Sequence, residues 1–256
     1  MLFIACTENT MSTYIIADLH LAENKPVLIN AFSNFYEKNT YLNDRVIIAG
    51  DMFDVFVGVD DKSNFHQKIR RIIEKASQRG VTTLFQRGNR DFLMTESMAN
   101  FFGMKLIGDY YSMATVNGHA LIIHGDQLCL ADRKLKYFHL FSKNPIIQYI
   151  FLALPYSWRL AIGKKVRAKS QKKKHTQTSQ KILASEKVQK VGTALLENSK
   201  CTILIHGHFH VYGAQKDAFG ENTYRLGLGD WGSRYSYVKI DHNETKLIQR
   251  SMEKNF

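Results

Sequence analysis

The sequence predicts an α/β fold with its functional site at the carboxyl edge of the sheet, interrupted late in the chain by a helical insertion. Three observations carry this. Short apolar runs stop abruptly at glycine or a polar residue, as at Ala17-Asp18, Ala49-Gly50-Asp51 and Ile123-His124. Segments of helical periodicity separate the first of these runs, which gives the strand–helix–strand rhythm of an α/β chain. Leu130–Val191 then breaks that rhythm with a long stretch of helical character.

Taken in order, Tyr14-Ile15-Ile16-Ala17 reads as a buried strand ending at Asp18, and Pro26–Lys38 has helical spacing. Arg45–Ala49 is a second buried strand, ending at Gly50-Asp51. Asn64–Arg79 is a helix with Phe65, Ile69, Ile72, Ile73 and Ala76 on one face, stopped by Gly80. Val81–Phe85 is a strand ending near Gly88-Asn89, Ala120–Ile123 one ending at His124, and Cys201–Ile205 one ending at His206-Gly207-His208. Tyr224–Leu228 and Tyr235–Ile240 are closing β elements. Late strands without helices between them point to a mixed sheet or two stacked sheets. Within the interruption, an apolar part (Ile146 to Ile162) precedes a basic part (Lys164 to Lys174), which reads as an insertion or cap.

A chain of 256 residues accommodates one large α/β domain with such an insertion. Cys6, Cys129 and Cys201 are few, odd in number and far apart, which argues against a disulfide framework. The formal net charge of +12 points to an anionic partner: a phosphorylated substrate, nucleic acid or an acidic membrane surface. Residues 1–10 read as an N-terminal extension without a secretion signal, with Met11 as an alternative start. The longest apolar run contains Pro155 and Arg159 and is short for a membrane span.

Five segments place metal-ligating residue types just past predicted strands: Asp18-Leu19-His20, Gly50-Asp51-Met52-Phe53-Asp54, Gly88-Asn89-Arg90-Asp91, His124-Gly125-Asp126 and Gly207-His208-Phe209-His210. In an extended segment, residues i and i+2 face the same way, so Asp18 with His20, and His208 with His210, are expected to grip one metal cluster. Mixed oxygen and nitrogen donors suit Mn²⁺, Fe²⁺ or Zn²⁺ better than Ca²⁺. A metal pair needs a shared carboxylate, and Asp51, after a central strand, is the natural bridge. One Asp-X-His is a weak signal, but five such segments in order are hard to explain structurally.

These segments resemble the calcineurin-like metallophosphoesterases over nearly the whole chain outside the insertion. The resemblance implies two stacked mixed sheets flanked by helices. One metal would take Asp18, His20, Asp51 and His210, and the other Asp51, Asn89, His124 and His208. The family's third segment usually carries histidine where this chain has Arg90. That histidine assists an alkoxide leaving group. A leaving phosphate needs little protonation, and an arginine can instead clamp a second phosphate, so Arg90 points to a pyrophosphate bond. The competing reading is an arginine that only pairs with a structural carboxylate.

A narrower resemblance is to the branch of that family that acts on UDP-2,3-diacylglucosamine. It rests on Ile16–Leu21, Gly88–Leu93, His124–Cys129, Leu152–Pro155, Arg167–Ser170, Ile205–His208 and Leu228–Trp231, and so extends into the insertion. It implies Mn²⁺-dependent hydrolysis at the cytoplasmic face of the bacterial inner membrane, in lipid A biosynthesis. A hydroxide between the metals would attack the α phosphorus, giving UMP and 2,3-diacylglucosamine 1-phosphate (lipid X). Asn89, Arg90 and Asp91 would act in the chemistry, with Asp91 orienting its loop. Asn89, Arg90, His208, Asp132, Ser170 and Lys174 would touch the substrate, together with Gln177 or, given a short insertion, Lys181. Apolar cap residues would line an acyl slot, and the lysines would reach anionic headgroups. The expected organisation is a core of 11–129 and 192–256 with a cap of 130–191. Neither nucleic acid nor an obligatory protein partner is expected. Another phosphodiesterase or nucleotide pyrophosphatase of the family, and a basic nucleic-acid-binding module, are the alternatives.

Overall fold

The computed structural model describes residues 11–130, 140, 144–173 and 179–252. Two stacked mixed sheets form its centre. The first has the order β11-β10-β1-β2-β3-β4. Here β1 (Thr13–Ile16), β2 (Arg45–Ala49), β3 (Thr82–Gln86) and β4 (Lys105–Leu106) run parallel, and β10 (Arg234–Ile240) pairs antiparallel with β1 and with β11 (Thr245–Ser251). The second has the order β5-β6-β7-β9-β8. In it β6 (Gly118–Ile123), β7 (Ile203–His206) and β9 (Tyr224–Gly227) are parallel, and β5 (Tyr111–Thr115) and β8 (Gly213–Lys216) are antiparallel edges.

The period of two along each strand sorts side chains into separate layers. Ile15, Ala17, Ile47 and Ala49 meet Ile122, Ile203, Ile205 and Leu226 between the sheets. Tyr14, Ile16, Val46 and Ile48 turn the other way. They pack on α1 (Pro26–Asn39), α2 (Asn64–Gln78) and α3 (Glu96–Phe101) through Phe32, Phe35, Ile69, Ile73 and Ala99. Each such fully buried aliphatic side chain contributes about 1.5–3 kcal/mol relative to exposure. The far face of the second sheet is covered by α7 (Glu186–Ser199), through Val188 and Leu196 against Leu121, Ile123 and Leu204. The layers therefore run helix, sheet, sheet, helix, as expected.

The insertion contributes α4 (Pro145–Ala153), α5 (Tyr156–Lys173) and α6 (Ser179–Leu183). Pro145 in the first turn and the Asn144 side chain, which accepts from the Ile146 and Ile147 amides, start α4. One expected boundary shifts. The junction between 191 and 192 falls inside α7, and Leu183 on α6 already packs in the same core cluster as α7. α7 is therefore a layer of the core and not the end of a cap. The apolar surface it covers, on the far side of the second sheet, is the reason.

Candidate metal centre

The five ligand segments lie just past the carboxyl ends of β1, β2, β3, β6 and β7, the usual edge for a site in such sheets. Backbone hydrogen bonds zip the first two together: Asp18 N and His20 N donate to the carbonyls of Gly50 and Asp51, and Asp54 N to that of Leu21. Asp18, His20, Asp51, His208 and His210 all have φ between 49° and 64°. The expected extended segments are thus corrected to left-handed turns. Asp18 and His20 still come together, with His20 Nε2 3.8 Å from Asp18 Oδ1. Each left-handed non-glycine residue costs about 1–2 kcal/mol, and such strain persists only where packing over-determines it.

Two groups of donors result. In one, His20 Nε2 and His210 Nε2 are 3.2 Å apart. Both face Asp18 Oδ1, at 3.8 and 3.3 Å. In the other, Asn89 Oδ1 lies 3.0 Å from His124 Nε2 and 2.8 Å from His208 Nδ1. Asp51 Oδ1 is 3.5 Å from His124 Nε2. The donor atoms of Asp18, Asp51 and His124 come within 4.8 Å of one another, so the two groups share one pocket. All seven expected ligands are therefore brought together.

The residues fit a divalent cation. Asp18 Oδ1 and His20 Nδ1 are buried without hydrogen-bond partners. Burial holds the His20 imidazole down to about 2, so one ring nitrogen keeps a lone pair for a cation. Burial raises the Asp51 carboxyl, with Asp18 adding to the rise against the pull of His124 and Arg90. Burial alone would lower His124, but Asp51, Asp18 and Asp126 carry it up to about 9. The field that favours a proton on His124 equally favours a cation. Its Nδ1 faces the Ala49 carbonyl at 3.0 Å, which turns Nε2 to the pocket.

Glycines make the close approach possible. A Cβ on Gly207 would overlap Asp18 Oδ2 and the Ala17 side chain, and one on Gly88 would overlap the Asp51 amide and carboxylate. Gly207→Ala is expected to weaken divalent-metal binding about 10- to 100-fold, the range for disturbing groups behind a ligand. Isothermal titration of the metal-free protein checks this, and unchanged affinity would refute the role given to Gly207.

Asp91 lies beneath the centre, fully buried. It accepts from the amides of Gly88 at 2.7 Å, Met52 at 2.7 Å and Asp51 at 3.3 Å. It thus binds the second and third segments together. Burial and the neighbouring Asp51 push its carboxyl up to about 7. Arg90 N donates to Asp51 Oδ1 at 2.9 Å and Arg90 Nε lies 3.0 Å from Asp51 Oδ2. Asp132, Lys174 and Gln177 lie outside the described residues. Ser170 falls near the carboxyl end of α5, and Lys181 stands exposed on α6, not among the contacts of the cluster. Three neighbours stand within the sequence segments named above but are given no role there. Asp230 Oδ2 is 3.6 Å from His210 Nδ1, behind the ligand. Asp54 and Arg167 join Arg90 in an ion-pair network.

Fold and site together define a metal-dependent phosphoester hydrolase. Residues 11–212 match the family model described as calcineurin-like phosphoesterase. The chain is 35% identical over 242 residues to a UDP-2,3-diacylglucosamine hydrolase of Tolumonas auensis, covering 94% of this chain and 97% of the relative. It is 36% identical over 238 residues to one of Haemophilus influenzae, covering 90% and 95%. The chain belongs to the calcineurin-like phosphoesterase family, in the branch of the UDP-2,3-diacylglucosamine hydrolases. Among solved structures, TT1561 of Thermus thermophilus aligns with a TM-score of 0.44 and 10% identity, over 95% of this chain and 100% of that one.

Proposed function

We propose that this protein hydrolyses the pyrophosphate bond of UDP-2,3-diacylglucosamine, giving UMP and 2,3-diacylglucosamine 1-phosphate in lipid A biosynthesis. The observation that carries this reading is Arg90. Its guanidinium sits against Asp51 at the rim of the metal pocket, where the family's usual histidine would serve an alkoxide leaving group. The substrate named for the relatives points the same way.

In this reading the pocket holds two divalent ions, Mn²⁺ being the resident metal. Asp18, His20, Asp51 and His210 hold one, and Asp51, Asn89, His124 and His208 the other. When bound, the ions supply positive charge that activates a water nucleophile and neutralises charge developing at phosphorus. Asn89, Arg90 and His208 bind and orient the phosphates, and Arg90 stabilises the phosphate that leaves. Asp91 keeps the two loops in register. Asp132, Ser170, Lys174 and either Gln177 or Lys181 hold the sugar and acyl end.

Exposed apolar and basic side chains of the insertion support a proposed peripheral position on the cytoplasmic face of the inner membrane. Ile146, Tyr149 and Ile150 on α4 and Trp158 on α5 are each more than 60% exposed, and Lys164, Lys165 and Lys169 lie on the same α5. No helix among the described residues is long and apolar enough to cross a membrane.

The test is hydrolysis in oxygen-18 water, comparing UDP-2,3-diacylglucosamine with aryl phosphates. The expected result is strong preference for the lipid and label in UMP alone. Preference for the aryl phosphates overturns the substrate, and label in the lipid phosphate overturns attack at the α phosphorus. Co-sedimentation with anionic lipid vesicles tests the membrane position; protein left in the supernatant at low salt would reject it.

A further inference from the structure

Asp54 stands outside the donor groups, yet three cations converge on it. Its Oδ1 accepts from Arg90 Nη1 at 2.6 Å and from Arg167 Nε at 3.2 Å, with Arg167 Nη2 at 3.1 Å. Lys25 Nζ lies 3.7 Å from Oδ2. The cations come from separate stretches: Lys25 just before α1, Arg90 from the loop after β3, and Arg167 from α5 of the insertion. The arginine side chains are 9% and 17% exposed, and that of Asp54 is 17% exposed. In so sheltered a place a charge-assisted pair fixes geometry strongly, and removal of one partner is costly. The other edge of Arg90 touches the metal pocket through Asp51. A continuous chain of contacts thus runs from Asp51 through Arg90, Asp54 and Arg167 to α5.

Two more contacts fasten α5 to the same loop. Arg159 Nη1 donates to the Val57 carbonyl. Gly163 lies so close that a Cβ would overlap the side chains of Val55 and Val57.

We propose that Asp54 is a positioning residue, which sets the Arg90 guanidinium towards the substrate phosphates and ties it to the insertion helix through Arg167. The substrate part rests on the function proposed above; the link between Asp54 and α5 does not. Geometry of this kind acts at a distance from the reacting atoms, where a small misplacement costs about 10- to 100-fold in rate.

The test compares Asp54→Asn and Asp54→Glu with the unaltered Mn²⁺-loaded protein. Asp54→Asn is expected to keep its metal content and to lower kcat on UDP-2,3-diacylglucosamine about 10- to 100-fold, with KM changed less than about threefold. Asp54→Glu is expected to recover most of the loss. Without substrate, amide hydrogen exchange across 156–169 is expected to accelerate in Asp54→Asn. Unchanged kcat with full metal content would overturn the positioning role, as would a glutamate that rescues nothing. If the unaltered protein does not cleave the lipid, the function fails separately. The exchange result then stands alone, and unchanged exchange would overturn the link to α5. Should Asp54→Asn not fold, Arg167→Gln is expected to accelerate the same exchange, and its failure to do so has the same consequence.

Discussion

Alanine at Asn89 is expected to lower kcat on UDP-2,3-diacylglucosamine by about a thousandfold or more, roughly 4 kcal/mol of transition-state stabilisation. The Asn89 oxygen sits between His124 Nε2 and His208 Nδ1, at 3.0 and 2.8 Å. On the proposed function, its loss would remove a donor from the second metal position and a contact to the substrate phosphate together. The residue is half-buried and lies in the loop after β3, so truncation uncovers little apolar surface and the unfolding midpoint should move by only a few degrees. His124→Ala should lose turnover to a similar extent, with a larger stability change. That side chain is fully buried, and its Nδ1 faces the Ala49 carbonyl. The measurements are kcat, elemental metal content and thermal unfolding on the same purified samples. Folded, metal-loaded variants with full activity would remove both residues from the centre.

The contrast between these ligands and their supporting groups shows what a sequence reveals. β1, β2, β3, β6 and β7 were legible because central strands are buried on both faces and read as apolar runs, bounded by glycine or a polar residue. α1 and α2 were legible from the period of their buried faces. The edge strands were not. β5, β8 and β11 carry many exposed or half-exposed side chains, and backbone pairing leaves little apolar signature. The Asn117-Gly118 pair, in the turn between β5 and β6, was the local signal available for one of them. At the site, ligand identity was written in the segments, because metal chemistry restricts residue type. The left-handed backbone at Asp18, His20, Asp51, His208 and His210 was not, since aspartate and histidine do not demand it. Nor were the partners Asp54, Arg167 and Asp230. Asp54 and Arg167 lie 113 positions apart, and only the packing of α5 on the loop after β2 brings them together.

Lysine in place of Arg90 is expected to lower kcat/KM on UDP-2,3-diacylglucosamine about a hundredfold, or roughly 2.7 kcal/mol, while simple aryl phosphates lose less. Arg90 already commits two of its nitrogens to the protein, Nε to Asp51 Oδ2 at 3.0 Å and Nη1 to Asp54 Oδ1 at 2.6 Å. Those anchors fix the guanidinium plane and leave its remaining edge for phosphate oxygens. A lysine ammonium is a single point of charge on a flexible stem. It cannot reproduce both anchors and still offer a planar fork, so charge is kept while orientation is lost. The penalty should be greatest where two phosphates must be held at once, which is the situation of a pyrophosphate bond. Histidine at the same position should go further in one respect. It offers a proton for a departing aryloxide but no second phosphate contact, so the ratio of aryl-ester to pyrophosphate hydrolysis should rise. Steady-state kinetics of both variants on the two substrate types, at equal metal occupancy, decide the matter. An Arg90→Lys protein with unchanged kcat/KM and unchanged preference would mean that Arg90 serves only its structural carboxylates. The case for a pyrophosphate substrate would then lose its main residue.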